Sequence, residues 1–386
     1  MRKYAILRRQ STTGDGGKFR GTEALGEAAR PLIAYEQLSY GDAASVAADP
    51  SVEVVAPTMP TALIRPFAGS SSVGADAWGL EAVGALSSQF TGRGVTVAVL
   101  DTGIDSGHPA FEGVAIEQCD FSGDGDGDRQ GHGTHCAGTI FGRDVAGVRI
   151  GVARGVERAL VGKVLRDDGG GDSEMIFQGM QWALSNGANV ISMSIGFDFP
   201  GMVAEQVADN WPADLAVSNA LEAYRGNLRM FDAIMQLARA RGPFGGGAVV
   251  VAAAGNESRR MEHPDWTIAA SLPAAAEDVV SVAAVGRQGF ALAAAPFSNS
   301  MATLCAPGVD ILSARTGGGL ETMSGTSMAC PHVAGVAALW WEAVANRGRK
   351  PAATNVVARL IGSARNDVFG VSYREIDMGQ GLATSP

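Results

Sequence analysis

The sequence predicts an α/β domain built on a mostly parallel sheet with helices on both faces, preceded by a small α+β unit. Three observations carry that prediction. From Val95 onward, runs of β-branched and apolar residues alternate with stretches of helical apolar periodicity, the pattern of a parallel sheet covered on both sides. The 386 residues suffice for one large domain and a small one, and 46% of them are hydrophobic against 18% charged, which supplies the apolar surface such a core needs. Residues 1–70 carry a separate and weaker alternation, and the chain to about residue 76 then turns rich in Pro, Gly and Ser.

In the small unit the strand candidates are Lys3–Arg8, Ile33–Leu38 and Val52–Ala56, with short helices over Gly21–Arg30 and Asp42–Ala48. Pro57 to Asp76 has the composition of a linker exposed to cleavage. The large unit, 77–386, opens on the strand Val95–Leu100, which ends at Asp101-Thr102-Gly103. A helix follows His132 to Phe141, and Arg158–Leu165 is the next strand. Ser173–Asn186 places Ile176, Phe177, Met180 and Leu184 on one helical face, with Ser173 or Asp172 as cap and Gly187 as terminator. Strands Val190–Ser194, Ala248–Ala254 and Asp278–Val285 come next, then a helix from Ser327 to Ala345 and a weaker one from Val356. The long stretch Phe197–Gly247 repeats Leu221, Tyr224, Leu228, Phe231, Met235 and Ala238 at helical spacing, which predicts a helix packed on the sheet rather than a lid.

The formal net charge of −10 argues against nucleic acid or an anionic membrane as partner. No apolar run approaches the ~20 residues of a membrane span. The basic start, Met1 to Arg9, has too short an apolar core for a leader of about 7–15 apolar residues. The expectation is therefore a cytoplasmic protein, or a secreted one if a leader has been removed. Cys119, Cys136, Cys305 and Cys330 form no C-x-x-C pair, so neither zinc nor a redox couple is expected, and small buried residues are.

Three stretches hold the chemistry. Ser324-Gly325-Thr326-Ser327 runs into an apolar helix, placing a serine beside the unpaired N–H groups of a helix start. Alone, a helix beginning Gly-Thr-Ser is ordinarily only a cap. Gly131-His132-Gly133 sets a histidine between glycines at another helix start, and Asp101 ends a buried strand. A serine hydroxyl needs a base, an imidazole changes charge near neutral pH, and a carboxylate fixes its tautomer.

The motifs VAVLDTGID, GHGTHCAGT and SGTSMACPHVAG, with Ala252-Ala253-Ala254-Gly255-Asn256, make the chain resemble the subtilisin-like serine peptidases (subtilases) from about Trp78 to near its end. The resemblance implies a three-layer subtilisin-like domain with a catalytic triad of Asp101, His132 and Ser327, and Asn256 donating into the oxyanion hole. It implies an extended peptide substrate held between Gly169-Gly170-Gly171 and Ser194-Ile195-Gly196, with Ala253, Ala254 and Gly255 walling the P1 pocket. Glu257 at its rim reads as an exposed loop residue, with a preference for basic P1 side chains as the sharper option. Ser173, where many relatives carry an aromatic residue, implies an unselective P4 subsite. His108, His135 and His332 match structural positions of the family, and His263 lies in a variable loop.

The resemblance also makes residues 1–70 a pro-domain, the enzyme's own partner, with self-cleavage between about Ile64 and Trp78. No cofactor is required and no metal ligands are assigned. Asp124–Asp128 departs from an EF-hand at Arg129 and His135 and reads as a solvated acidic turn, and Ala110 replaces a common calcium-binding Asp. Calcium elsewhere is left open, and a monomer is expected. Two competing functions are a transferase or macrocyclase that resolves the acyl-enzyme with an amine behind a Phe197–Gly247 lid, and an inactive peptide-binding module. The intact Asp101, His132, Ser327 and Asn256 argue against the second.

Overall fold

In the computed structural model the described residues are 1–9, 33–68, 77–240, 242, 246–370 and 373–386. The helix expected over Gly21–Arg30 lies outside them. The N-terminal unit consists of β1 (Arg2–Arg8), β2 (Ile33–Leu38), α1 (Tyr40–Ala47) and β3 (Val52–Pro57), with β1 central and antiparallel to both neighbours. Ser39 and Asp42 close a capping box at the start of α1. Strand alternation splits β1 between two environments. Tyr4 and Ile6 pack with Ala43 of α1, while Ala5 and Leu7 face the main core.

The next segment departs from the sequence expectation. Pro57 to Ala68 is not a solvent-exposed linker but contains β4 (Pro60–Leu63) and β5 (Phe67–Ala68), both paired to the large domain. Met59 is 1%, Thr61 2% and Ile64 3% exposed. Its three prolines and the Gly- and Ser-rich stretch that follows read as linker because the partners that bury it lie more than a hundred residues away.

The large domain continues with α2 (Trp78–Ala82), β6 (Thr96–Asp101), β7 (Ala115–Asp120), α3 (His132–Phe141), β8 (Arg158–Lys163), β9 (Gly170–Asp172), α4 (Ser173–Ser185), β10 (Val190–Met193), β11 (Ile195–Phe197), α5 (Phe199–Ala208) and α6 (Ala213–Ala240). It ends with β12 (Val249–Ala253), β13 (Val280–Gln288), β14 (Ala291–Ala294), β15 (Leu304–Pro307), β16 (Ile311–Ala314), β17 (Leu320–Ser324), α7 (Thr326–Ala345), α8 (Ala353–Gly362) and α9 (Glu375–Met378). The central sheet runs β14-β13-β12-β10-β6-β8-β7, with β15 also on β13, and every pairing except β13–β14 is parallel. Both faces are covered, so its strands are apolar without interruption. In β6, Val97 and Val99 join α3 and α7 on one side, and Ala98 and Leu100 join α4 and α6 on the other.

Helix α6 spans 28 residues and does two jobs. Met230, Phe231, Ile234 and Met235 enter the core over the sheet, where Phe231 meets Phe177 and Phe197 edge-on. One turn earlier, Asn227 Nδ2 donates to Pro57 O (2.8 Å), and Gly226 abuts Ala56. The insertion is thus packed on the sheet as expected, and it is also the seat of the N-terminal unit. Lys3 adds an ion pair to Glu174 of α4 at 2.7 Å.

Candidate active site

Asp101 leaves the carboxyl end of β6, the edge where parallel sheets present ligands. His132 is the first residue of α3, and its Nδ1 lies 2.8 Å from Asp101 Oδ1, which also accepts from Thr102 N–H. That contact makes Nδ1 the protonated nitrogen and leaves Nε2 as acceptor. Among the described residues Nε2 and Asp101 Oδ2 are buried polar atoms without a hydrogen-bond partner. The close approach of α3 to the β6 end depends on Gly133, where a Cβ would lie 2.2 Å from Gly103 O.

Ser327 occupies the first turn of α7 and is fully buried. Pro331 stands four residues on and has no N–H, so the Ser327 carbonyl loses its helical donor. Ser194 Oγ (3.1 Å) and Cys136 Sγ (3.4 Å) donate to it instead. Cys136 also lies 3.8 Å from His132 Nδ1 and so packs between base and nucleophile. Burial raises its thiol well above the ordinary range and raises that of Cys330 to about 11, so both stay neutral. The ligand atoms of Asp101, His132 and Cys136 lie within 4.8 Å of one another, but a thiol held protonated by burial suits packing better than metal binding.

The Ser327 hydroxyl does not hydrogen-bond to the imidazole in this state. It donates to Ile64 O at 3.2 Å. Asn256, just after β12, donates through Nδ2 to Arg65 O at 3.1 Å. Its Oδ1 accepts from Thr326 N–H and Oγ1, both at 2.9 Å, which fixes the amide orientation.

Ahead of these atoms β4 lies antiparallel between β9 and β11. Thr61 pairs with Gly171 and Phe197, Ala62 with Gly170 and Gly196, and Leu63 with Ile195, while Leu63 N–H donates to Gly169 O. A Cβ on Gly171 would meet Thr61 Oγ1 at 2.7 Å, and one on Gly196 would meet Ile64 Cγ1 at 3.3 Å. The glycine walls therefore admit a strand at backbone distance. Beyond Pro66 the segment pairs with β17, Phe67 opposite Ser324 and Ala68 opposite Met323. Ile64 shares its apolar cluster with Ala253 and Ala254. Of the residues expected in the site, Gly169, Gly170, Gly171, Ile195, Gly196, Ser327 and Asn256 thus pair with or bond to the chain's own residues 61–65, while Asp101, His132, Ser194 and Gly255 are buried.

The model of the Subtilase family matches residues 92–379. The chain belongs to the subtilase family. An intracellular serine protease of Paenibacillus polymyxa is 36% identical over 259 residues, which cover 65% of this chain and 68% of that protein. A subtilisin-like serine protease of Penicillium rubens is 33% identical over 76% of this chain and 65% of its own length. A subtilisin-like protease of Coccidioides posadasii is 35% identical over 70% of this chain and 57% of its own length. This subtilase thus spans about two thirds or less of the relatives it matches.

The subtilase also contains site residues that sequence reasoning passed over. Asp128 was expected in a solvated turn, yet it is 6% exposed. It accepts from Thr102 Oγ1 (2.9 Å), Gly131 N–H (2.8 Å), Thr134 N–H (2.8 Å) and Thr134 Oγ1 (2.7 Å). One carboxylate thus ties the Asp101 strand end to the His132 helix start. Its burial was hidden by the exposed Asp124 and Asp126 beside it. Lys163, also buried, pairs with Asp167 at 2.6 Å and donates to Gly127 O. Glu257 is exposed, but its Oε2 accepts from Asn299 Nδ2 at 2.6 Å. Asp172, not Ser173, caps α4, and Ser173 Oγ accepts from Met59 N–H.

The remaining histidines make ordinary structural bonds. His108 Nδ1 accepts from Ala110 N–H and Nε2 donates to Gly319 O. His135 Nε2 donates to Ile311 O, His332 Nδ1 donates to Met328 O, and His263 stacks on Trp266. Burial lowers His135 to about 3 and His332 to about 4.

Proposed function

We propose that this subtilase is a serine endopeptidase working through an acyl-enzyme on Ser327, and that it is made as a self-processing zymogen. The observation carrying this is the path of residues 60–68. They cross the site as an extended peptide, with successive carbonyls at the Ser327 hydroxyl and the Asn256 amide.

With a substrate in that path, Ser327 Oγ attacks the carbonyl carbon while His132 Nε2 takes its proton. Asp101 holds the ring and stabilises the imidazolium. Asn256 Nδ2 and the Ser327 backbone N–H donate to the oxygen as it becomes an oxyanion. The C–N bond breaks as His132 returns the proton to the leaving amine. Water, deprotonated by the same nitrogen, then cleaves the ester and restores the serine. Main-chain pairing with Gly169–Gly171 and Ser194–Gly196 gives affinity with little demand on sequence.

The resident segment is not set for attack. The two donors address two different carbonyls, those of Ile64 and Arg65, rather than converging on one oxyanion. This supports a resting state in which residues 1–70 serve as pro-domain and residues 60–68 as cleft plug until the chain is cut between about Ile64 and Trp78. Hydrolysis is favoured over amine transfer because the insertion packs into the core and onto β3. A cytoplasmic place of work is proposed from the Paenibacillus relative, intracellular by name. Among the described residues no helix is long and apolar enough to cross a membrane.

The deciding experiment compares wild type with Ser327→Ala. Wild type is expected to hydrolyse peptides, react covalently with a fluorophosphonate and shorten itself, and the variant to do none of these. Covalent labelling that persists in Ser327→Ala would reject Ser327 as nucleophile.

A further inference from the structure

Asn299 lies in the loop after β14 and is fully buried. Its backbone N–H donates to Gly255 O at 3.0 Å. Its side-chain Nδ2 donates to Ala254 O (3.0 Å) and Glu257 Oε2 (2.6 Å). Its Oδ1 accepts from Glu257 N–H (3.2 Å), Ser258 N–H (3.1 Å) and Ser258 Oγ (3.2 Å). A single residue therefore bonds to both neighbours of Asn256 and to the residue beyond each, without touching Asn256 itself. Both amide hydrogens are used, and the oxygen is fully subscribed. Gly255 permits the arrangement, since at φ +114° it takes a conformation other residues avoid, and a Cβ there would lie 2.3 Å from Asn299 Nδ2.

We propose that Asn299 is a positioning residue for the oxyanion hole, fixing the backbone of Ala254–Ser258 so that the Asn256 amide projects toward the developing charge. This rests on the assignment of Asn256 as oxyanion donor made above. The physical reason is that a donor lowers a barrier only when it is held in place before charge develops. Thr326 holds the far end of the Asn256 carboxamide. On the near side Gly255 N–H also donates to Thr326 Oγ1 at 3.1 Å, and Asn299 bonds to the backbone on both sides of Asn256.

The test is a double-mutant cycle on peptide hydrolysis by the full chain, with kcat measured for wild type, Asn256→Ala, Asn299→Ala and the double variant. Asn256→Ala is expected to lower kcat roughly 10²–10³-fold, the loss known for this donor in subtilisin. Asn299→Ala is expected to lower it about tenfold or more within that ceiling, and the double variant to stay within about 2-fold of Asn256→Ala, because residues acting as one unit are not additive. A normal kcat in Asn256→Ala overturns the donor assignment and the inference with it. A large loss there with the Asn299 effect multiplying in full overturns the inference alone. Asn299→Asp faces the Glu257 carboxylate, and adding Glu257→Gln reverses donor and acceptor in their bond, so the pair is expected to regain part of the kcat that Asn299→Asp loses. Failure of every Asn299 variant to fold by circular dichroism assigns the residue to stability and overturns the proposal.

Discussion

The Ser327 hydroxyl donates to the carbonyl oxygen of Ile64 across 3.2 Å, although the two residues stand 263 positions apart in the chain. The nucleophile is thereby occupied by the chain's own backbone. Engagement with His132 Nε2, which is buried and without a hydrogen-bond partner among the described residues, waits on departure of that carbonyl. The arrangement predicts that wild-type protein appears first as a full-length form and then as one shortened between about Ile64 and Trp78, whereas Ser327→Ala stays full length. Mass spectrometry over time distinguishes them, and wild type that is active while remaining uncut would refute the zymogen.

Asp101 and His132 are expected to act as one unit with Ser327. Asp101→Asn leaves the geometry but presents an amide to Nδ1, favouring the wrong tautomer, and should cut kcat by about 10⁴-fold. His132→Ala should cost about as much as losing the serine, as in subtilisin. Combining His132→Ala with Ser327→Ala should therefore add almost nothing, which single-turnover assays can read. A multiplicative loss would separate the two residues chemically.

The contact of Asn227 Nδ2 with Pro57 O, beside the tight approach of Gly226 to Ala56, holds the N-terminal unit on α6. Asn227→Ala removes a buried donor, a change of roughly 1–2 kcal/mol or about 5–30-fold in the undocked population. Self-cleavage should accelerate by that order. Gly226→Val, which drives a side chain into Ala56, should accelerate it further. Processing rates unchanged in both variants would show that docking does not limit activation.

His135 and His332 make stability depend on pH. Burial holds their folded values near 3 and 4, below the ~6.5 of an exposed imidazole. Below about pH 6.5 the unfolded chain binds more protons, so stability falls as pH drops, by up to about 1.4 kcal/mol per pH unit for each ring. The fall ends as the folded values are passed, and above pH 6.5 neither ring adds slope. Thermal melts of Ser327→Ala between pH 4 and 7 should show this decline, and His332→Gln in that background should flatten it by one ring's share. An identical slope in both would assign the decline to other groups.

Much of the fold was legible because its signals are local. The apolar run before Asp101, the helical face of α4 and the start of α7 just after Gly325 each follow from short-range pattern and steric rules. Boundaries moved by a residue or two, as at Thr326 for α7. The proposed site residues could be named from sequence because their motifs are short and well spaced. Asp128 and Asn299 were not, since each earns its place through bonds to residues that sequence spacing leaves unrelated.

The α/β architecture and the family could be read from the chain in order, because periodicity and motif spacing are properties of that order. Only the tertiary structure decided that Pro60–Ala68 is a strand segment filling that cleft rather than a linker. Nine residues interrupted by Pro60, Arg65 and Pro66 carry no strand signal of their own. It becomes extended and buried only when Gly170, Gly171, Gly196 and Ser324, brought from three distant parts of the chain, offer it unpaired backbone groups on both sides.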